Sequence, residues 1–226
     1  PETARSVLMY RYRRLGQAQK YAQESGYVGA MFPWQSGSEG REETQTLHLN
    51  PLSGEWGADY SPLQRHVSLA VIYNIWEYLW VNNDQDFLEN YGAEVFFAVC
   101  RFWAGKAHLN PETERYDISG VMGPDEFHEK YPDATKGGLR NNSYTNILVA
   151  WSLKRAFDLL EKMGAKAKTA LLEKMRLDDE ELVRWQDISH KVTVPLSEEG
   201  VLEQCEGYFD LKELDWEHYQ QEYGNI

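Results

Sequence analysis

Along most of the chain apolar residues recur every three or four positions, the period that gathers them on one face of an α-helix. Leu8, Tyr12, Leu15, Ala18 and Ala22 form the first stripe, which stops at Ser25-Gly26, where glycine suits a helix C-terminus. Leu63, Val67, Val71, Ile75 and Tyr78 form a second, opened by Ser61-Pro62, a capping residue followed by a first-turn proline. Asp84 reads as the cap of a third helix carrying Leu88, Tyr91, Val95, Val99 and Phe102. A fourth holds Ile147, Ala150, Leu153, Phe157 and Leu160, and a fifth runs through Ala167, Leu171 and Met175. Asp178 caps a sixth, with Leu182, Trp185 and Ile188 on one side.

The connections are uneven. A few residues around Asn82-Asn83 join the second and third helices, whereas about 35 residues separate the first from the second and nearly 40 separate the third from the fourth. Long loops in a compact domain are usually functional, so the chemistry is expected there. In the first, Thr46-Leu47-His48-Leu49 followed by Asn50-Pro51-Leu52-Ser53-Gly54 predicts a short strand entering a turn. Neither a repeat nor a low-complexity linker interrupts residues 1–226, which therefore read as part of one domain. Beyond Val192 the helical period fades and no closing element is expected; with proline as its first residue, the chain reads as a piece of something longer.

Composition narrows the function. Hydrophobic residues at 42% and charged ones at 26% describe a globular chain. A formal charge of −13 repels phosphate backbones and anionic lipid, which disfavours nucleic-acid and membrane partners. No apolar run approaches the roughly 18–20 residues that span a bilayer, and Pro1-Glu2-Thr3-Ala4-Arg5 lacks a secretion signal's apolar segment. Cys100 and Cys205 alone supply no disulfide framework and no all-thiol zinc site, so the cytoplasm is the default compartment. Aromatic residues reach 13%, with 8 Trp and 14 Tyr: rings that fill a core, or stack on sugars where they stand among polar loop residues.

Three segments could carry chemistry. In Gly120-Val121-Met122-Gly123-Pro124-Asp125-Glu126-Phe127-His128-Glu129, glycine and proline make a stiff turn that presents carboxylates. In extended backbone Asp125 and Glu126 point to opposite sides, and flanking Met122 and Phe127 can desolvate one of them so that it keeps a proton, as a general acid must. The alternatives are a solvated surface pair, or a metal site from Asp125, Glu126, His128 and Glu129, whose spacing fits neither the zinc helix motif nor the calcium loop. Gly137-Gly138-Leu139-Arg140-Asn141-Asn142-Ser143-Tyr144-Thr145-Asn146 opens the fourth helix; Asn142 or Ser143 can cap it, and the remaining amides suit sugar hydroxyls. In Phe32-Pro33-Trp34-Gln35, Trp34 sits in turn-forming sequence and is a candidate stacking ring, while Arg41-Glu42-Glu43 reads as an exposed charge cluster and His66 as a satisfied buried histidine.

Phe32-Pro33-Trp34, Gly123-Pro124-Asp125-Glu126-Phe127-His128 and Asn141-Asn142-Ser143-Tyr144-Thr145-Asn146, in this order, resemble the catalytic domain of glycoside hydrolase family 65, which holds maltose, trehalose and kojibiose phosphorylases and a few hydrolases. The resemblance covers essentially the whole chain. It implies an all-α fold, an (α/α)6 barrel that is incomplete here, its six helices making about half of the ring. It places the general acid on Glu126 and the sugar site on Trp34, Gln35, Asp125, His128, Asn141 and Asn142. The implied reaction is cleavage of an α-glucosidic bond of a disaccharide with inversion, by phosphorolysis to glucose 1-phosphate or, as the alternatives, by hydrolysis or not at all in a sugar-binding fragment. Phosphate is then a co-substrate, no metal or organic cofactor is implied, and a homodimer is compatible. Gln35 stands where many of the phosphorylases carry Glu, which leaves the disaccharide open.

Overall fold

The computed structural model describes residues 1–125 and 128–224. Helices dominate it. The first predicted helix is two, α1 (Glu2–Arg13) and α2 (Leu15–Glu24), broken at Arg14 with φ −104° and ψ 6°. The Arg14 N–H reaches both the Tyr10 and Arg11 carbonyls, which tightens the last turn, while its guanidinium donates to the Ser38 carbonyl at 2.6 Å.

The first long connection contains the antiparallel hairpin β1 (Leu47–Leu49) and β2 (Trp56–Ala58). Asn50 Oδ1 accepts the Leu52 N–H at 2.9 Å to shape its turn, as the sequence suggests. Ser61-Pro62 does not open the second helix: Ser61–Leu63 is a 3-10 turn, and α3 (Val67–Asn82) begins four residues later, after Gln64 with φ −72° and ψ 61° redirects the chain. Asp84 caps as expected, accepting the Phe87 N–H at 2.9 Å. The third helix is composite, with α4 (Gln85–Phe87), a π-helical turn (Leu88–Gly92) and α5 (Ala93–Lys106).

The second long connection is also built, not open. Strand β3 (His108–Asn110) pairs with β4 (Arg115–Asp117), and β5 (Ser119–Val121) pairs with β6 (Leu139–Arg140), all antiparallel. An all-α description is therefore corrected to a mostly helical one with three two-stranded sheets among the described residues. Connections of this length have backbone groups to satisfy, and short hairpins do so where helical periodicity is missing. The rest follows the sequence: α6 (Ser143–Lys162), α7 (Ala165–Met175) and α8 (Asp179–Lys191), the last capped by Asp178, which accepts the Glu181 N–H at 2.8 Å. The expectation that no element follows is wrong, since Asp215 caps a further helix, α9 (Trp216–Tyr223), none of whose residues is buried.

One apolar cluster extends from Leu8 to Val192 with α5 at its centre. Phe96, Phe97, Phe102 and Trp103 of α5 are inaccessible, so this helix is apolar nearly all round, as a fully packed helix must be. A loop lies flat on it. Gly29 has φ +87°, a Cβ there would stand 2.4 Å from the Ala98 carbonyl oxygen, and Ala30 N–H donates to that same oxygen at 2.8 Å. The contact sinks Met31 and Phe32 into the core, Phe32 N–H bonding Ser68 Oγ at 2.8 Å, and leaves Trp34 at the edge.

Candidate active site

The elements converge on one face. Strands β5 and β6 form the base of the 122–138 loop, and Met122 N–H donates to the Leu63 carbonyl at 2.9 Å, which fastens the Gly-Pro-Asp turn to the 3-10 turn before α3. Gly123 lets the turn pack closely, since a Cβ there would crowd Asn142 Nδ2 and His128 Cβ, each at 3.2 Å. His66, at the start of α3, has its ring 5.5 Å from Trp34 and 5.8 Å from Tyr144 at the start of α6. It thereby joins two motifs more than a hundred residues apart in sequence. Burial holds its pKa below the usual 6.5, so the imidazole is neutral near pH 7. Its Nδ1 is buried and unpaired among the described residues.

Two adjoining depressions share Pro124 and Asp125. One, of about 480 Å³, is bounded by Trp34, His48, Ser61, Gln64, Met122 and Glu129. The other, of about 440 Å³, lies towards Asn142, Ser143, Tyr144, Ile147, Leu202 and Gln204. An aromatic ring, amides and carboxylates around a concave space offer stacking on an apolar sugar face and hydrogen bonds to hydroxyls. Among the described residues no group of three or more His, Cys, Asp or Glu is arranged to hold a metal ion.

The residues named from sequence divide into groups. Trp34 and Asp125 face the first depression, and Asp125 and Asn142 face the second. Glu126 and its neighbour Phe127 lie outside the described residues. Gln35 is exposed and borders neither depression, and His128 packs behind the turn with its ring 6.3 Å from that of Tyr208. Asn142 caps α6, its Oδ1 accepting the Thr145 N–H at 3.0 Å, and donates Nδ2 to the Gln204 carbonyl at 3.0 Å.

Asn141 is fully buried, with φ +49°. Its Oδ1 accepts the Ile118 N–H at 3.0 Å, and its Nδ2 donates to Asp117 at 2.9 Å and to Glu206 at 2.6 Å. That amide is spent within the protein, beneath the cleft. Burial opposes ionisation of Asp117, yet hydrogen bonds from Thr193, Asn110 and Asn141 outweigh it and hold the carboxyl below its ordinary value. The anionic knot pins β4, α6 and the segments around Thr193 and Glu206 together.

Gln64, Ser61, His48 and Glu129 were not singled out from sequence as cleft residues. A helix assumed to start at Ser61 hides the first two, since only the 3-10 turn aims Gln64 at the cleft. No local signal marks His48, which the β1–β2 hairpin delivers.

Residues 1–226 match the family described as the glycosyl hydrolase family 65 central catalytic domain. An uncharacterized glycosyl hydrolase of Mycobacterium tuberculosis is 47% identical over the whole chain, which spans 17% of that protein. A trehalose 6-phosphate phosphorylase of Lactococcus lactis is 43% identical over the whole chain, which covers 28% of it, and a kojibiose phosphorylase of Thermoanaerobacter brockii is 35% identical over 94% of the chain and 27% of its own length. A solved structure provisionally named a kojibiose phosphorylase, from the human microbiome, superposes with a TM-score of 0.78 at 26% identity, covering 97% of this chain and 29% of that one. The chain thus spans less than a third of the length of each of these relatives.

Proposed function

This chain belongs to glycosyl hydrolase family 65, and from that membership we propose that it is the part of a disaccharide phosphorylase that carries the general acid and one wall of the glucose site, within an (α/α)6 barrel. The observation that supports this best is the cleft itself: Trp34, Gln64, His66, Asp125 and Tyr144 meet there although they come from four separate parts of the sequence.

In this reading Glu126 is the acid. Its carboxyl donates a proton to the glycosidic oxygen as the bond to the anomeric carbon breaks, and the departing sugar leaves as a neutral alcohol. A phosphate oxygen attacks the anomeric carbon from the opposite face through an oxocarbenium-like transition state, which inverts the configuration and yields glucose 1-phosphate. Phosphate is already anionic and needs no carboxylate base; hydrolysis would need one roughly 6.5–9.5 Å from the acid to activate water. Trp34 stacks on the glucose ring, Asp125 and Asn142 hold its hydroxyls, and Asn141 supports them through the knot on Asp117, whereas Gln35 and His128, which line neither depression, are left without a sugar contact. The names of the relatives favour phosphorolysis over hydrolysis, with trehalose 6-phosphate, kojibiose, trehalose and maltose as the sugars to try.

The test is product analysis. The full-length protein that carries this chain, given each of these sugars, is expected to release glucose 1-phosphate from at least one of them, and only when phosphate is present. Free glucose released at the same rate without phosphate would assign hydrolysis instead; no turnover of any of them would reject the reading.

A further inference from the structure

Glu42 has more bonds than an exposed charge cluster explains. Its Oε2 accepts the Trp34 N–H at 2.9 Å and the Tyr21 hydroxyl at 3.2 Å. Its Oε1 accepts the Gln35 N–H at 3.2 Å, the Thr44 N–H at 3.1 Å and the Thr44 hydroxyl at 2.5 Å. Five donors from three stretches of chain thus converge on one half-buried carboxylate, and bonds to an ionised acceptor are about twice as strong as neutral ones. The neighbours differ. Arg41 pairs with Glu39 at 2.7 Å in solvent, and Glu43 is exposed, holding the loop only through its backbone N–H on the Gln35 carbonyl at 2.9 Å.

We propose that Glu42 is the positioning residue of the sugar-stacking loop: its carboxylate clamps the backbone of Trp34 and Gln35 so that the indole is already set against the cleft before sugar arrives. The loop cannot do this by regular structure. Between Pro33 and Gln45 its backbone pairing, among the described residues, is confined to the isolated Ser36–Glu42 bridge and the Gly40–Gly37 turn bond, so a carboxylate stands in for the missing ladder partner of two consecutive N–H groups. The anchor behind it is firm, because Tyr21 belongs to α2, which packs on α5. The consequence for binding is preorganisation: a ring held in place loses little freedom when a sugar stacks on it. Stacking of this kind is equal in ground and transition states, so its loss raises KM and leaves kcat nearly alone. The role as a sugar loop rests on the phosphorylase reading; the clamp itself does not.

Glu42→Gln tests it, since a carboxamide keeps the shape but offers one acceptor oxygen and turns an NH2 group towards donors. In the full-length protein, amide hydrogen exchange across residues 30–45 is expected to quicken at least about tenfold, with α5 peptides unchanged, and KM for the sugar that is turned over is expected to rise about tenfold with kcat within about threefold. Glu43→Gln, one residue away, should alter neither. Unchanged exchange at 30–45 would overturn the clamp whether or not any sugar is turned over. Faster exchange with KM unchanged, or exchange quickened equally in α5, would reduce Glu42 to ordinary structural support and overturn the positioning role. A protein that turns over no α-glucoside would sink the phosphorylase reading and with it the sugar role, while exchange alone still judged the clamp.

Discussion

At the scale of single residues, the sequence speaks most clearly where a side chain acts on its own neighbours. Asp84, Asn142 and Asp178 are legible as helix caps because a cap is a local arrangement of three or four residues. Glu42, Asn141 and Lys106 are not, since what defines them lies across the fold. Lys106 is buried at the end of α5 at 4% exposure, its Nζ on the Tyr27 hydroxyl at 3.2 Å, and no carboxylate pairs with it among the described residues. Burial first, and the Arg65 charge second, lower its pKa from 10.5 to about 8. From about pH 8 towards 10.5 the unfolded chain therefore holds a proton that the folded chain gives up, and stability from this group rises with pH in that window. Lys106→Met is expected to stabilise the protein at pH 7 by about 1–4 kcal/mol and to flatten the gain between about pH 8 and 10.5, both read from urea denaturation. A loss of stability at pH 7 would show that the buried ammonium has an anionic partner in the intact protein.

At the scale of elements, periodicity locates helices well and their breaks poorly. The stripe through Leu8, Leu15 and Ala22 continues across Arg14 without a gap, although the backbone turns there, because both halves point the same side at the core. Ser61-Pro62 carries the signature of a helix start and opens a 3-10 turn instead, since fastening Leu63 to Met122 requires the chain to bend at Gln64. The strands are only two or three residues long, too short for alternation to show. Loop-to-helix packing is also invisible until contacts are known, and Gly29 illustrates it. Gly29→Ala combines a positive φ with a Cβ 2.4 Å from α5 backbone and should cost about 2–5 kcal/mol in chemical denaturation. Gly26→Ala has φ +84° but nothing within 4 Å, so only the strain of about 1–2 kcal/mol is expected. Equal losses would mean that the approach to α5 contributes nothing.

At the scale of the whole molecule, the cleft is assembled from segments around residues 34, 64, 125 and 144, and no window of sequence contains it. The motifs were readable; their meeting depends on His66 between two rings, on the Met122–Leu63 bond and on the buried knot around Asp117. Among the described residues no helix is long and apolar enough to cross a membrane. The central claim is that the carboxyl of residue 126 protonates the leaving sugar, and Glu126→Gln in the full-length protein tests it most directly. The initial rate of phosphate-dependent glucose 1-phosphate release is predicted to fall by about 10²–10⁴-fold with the melting temperature unchanged. A variant that keeps a tenth or more of the wild-type rate would contradict the assignment.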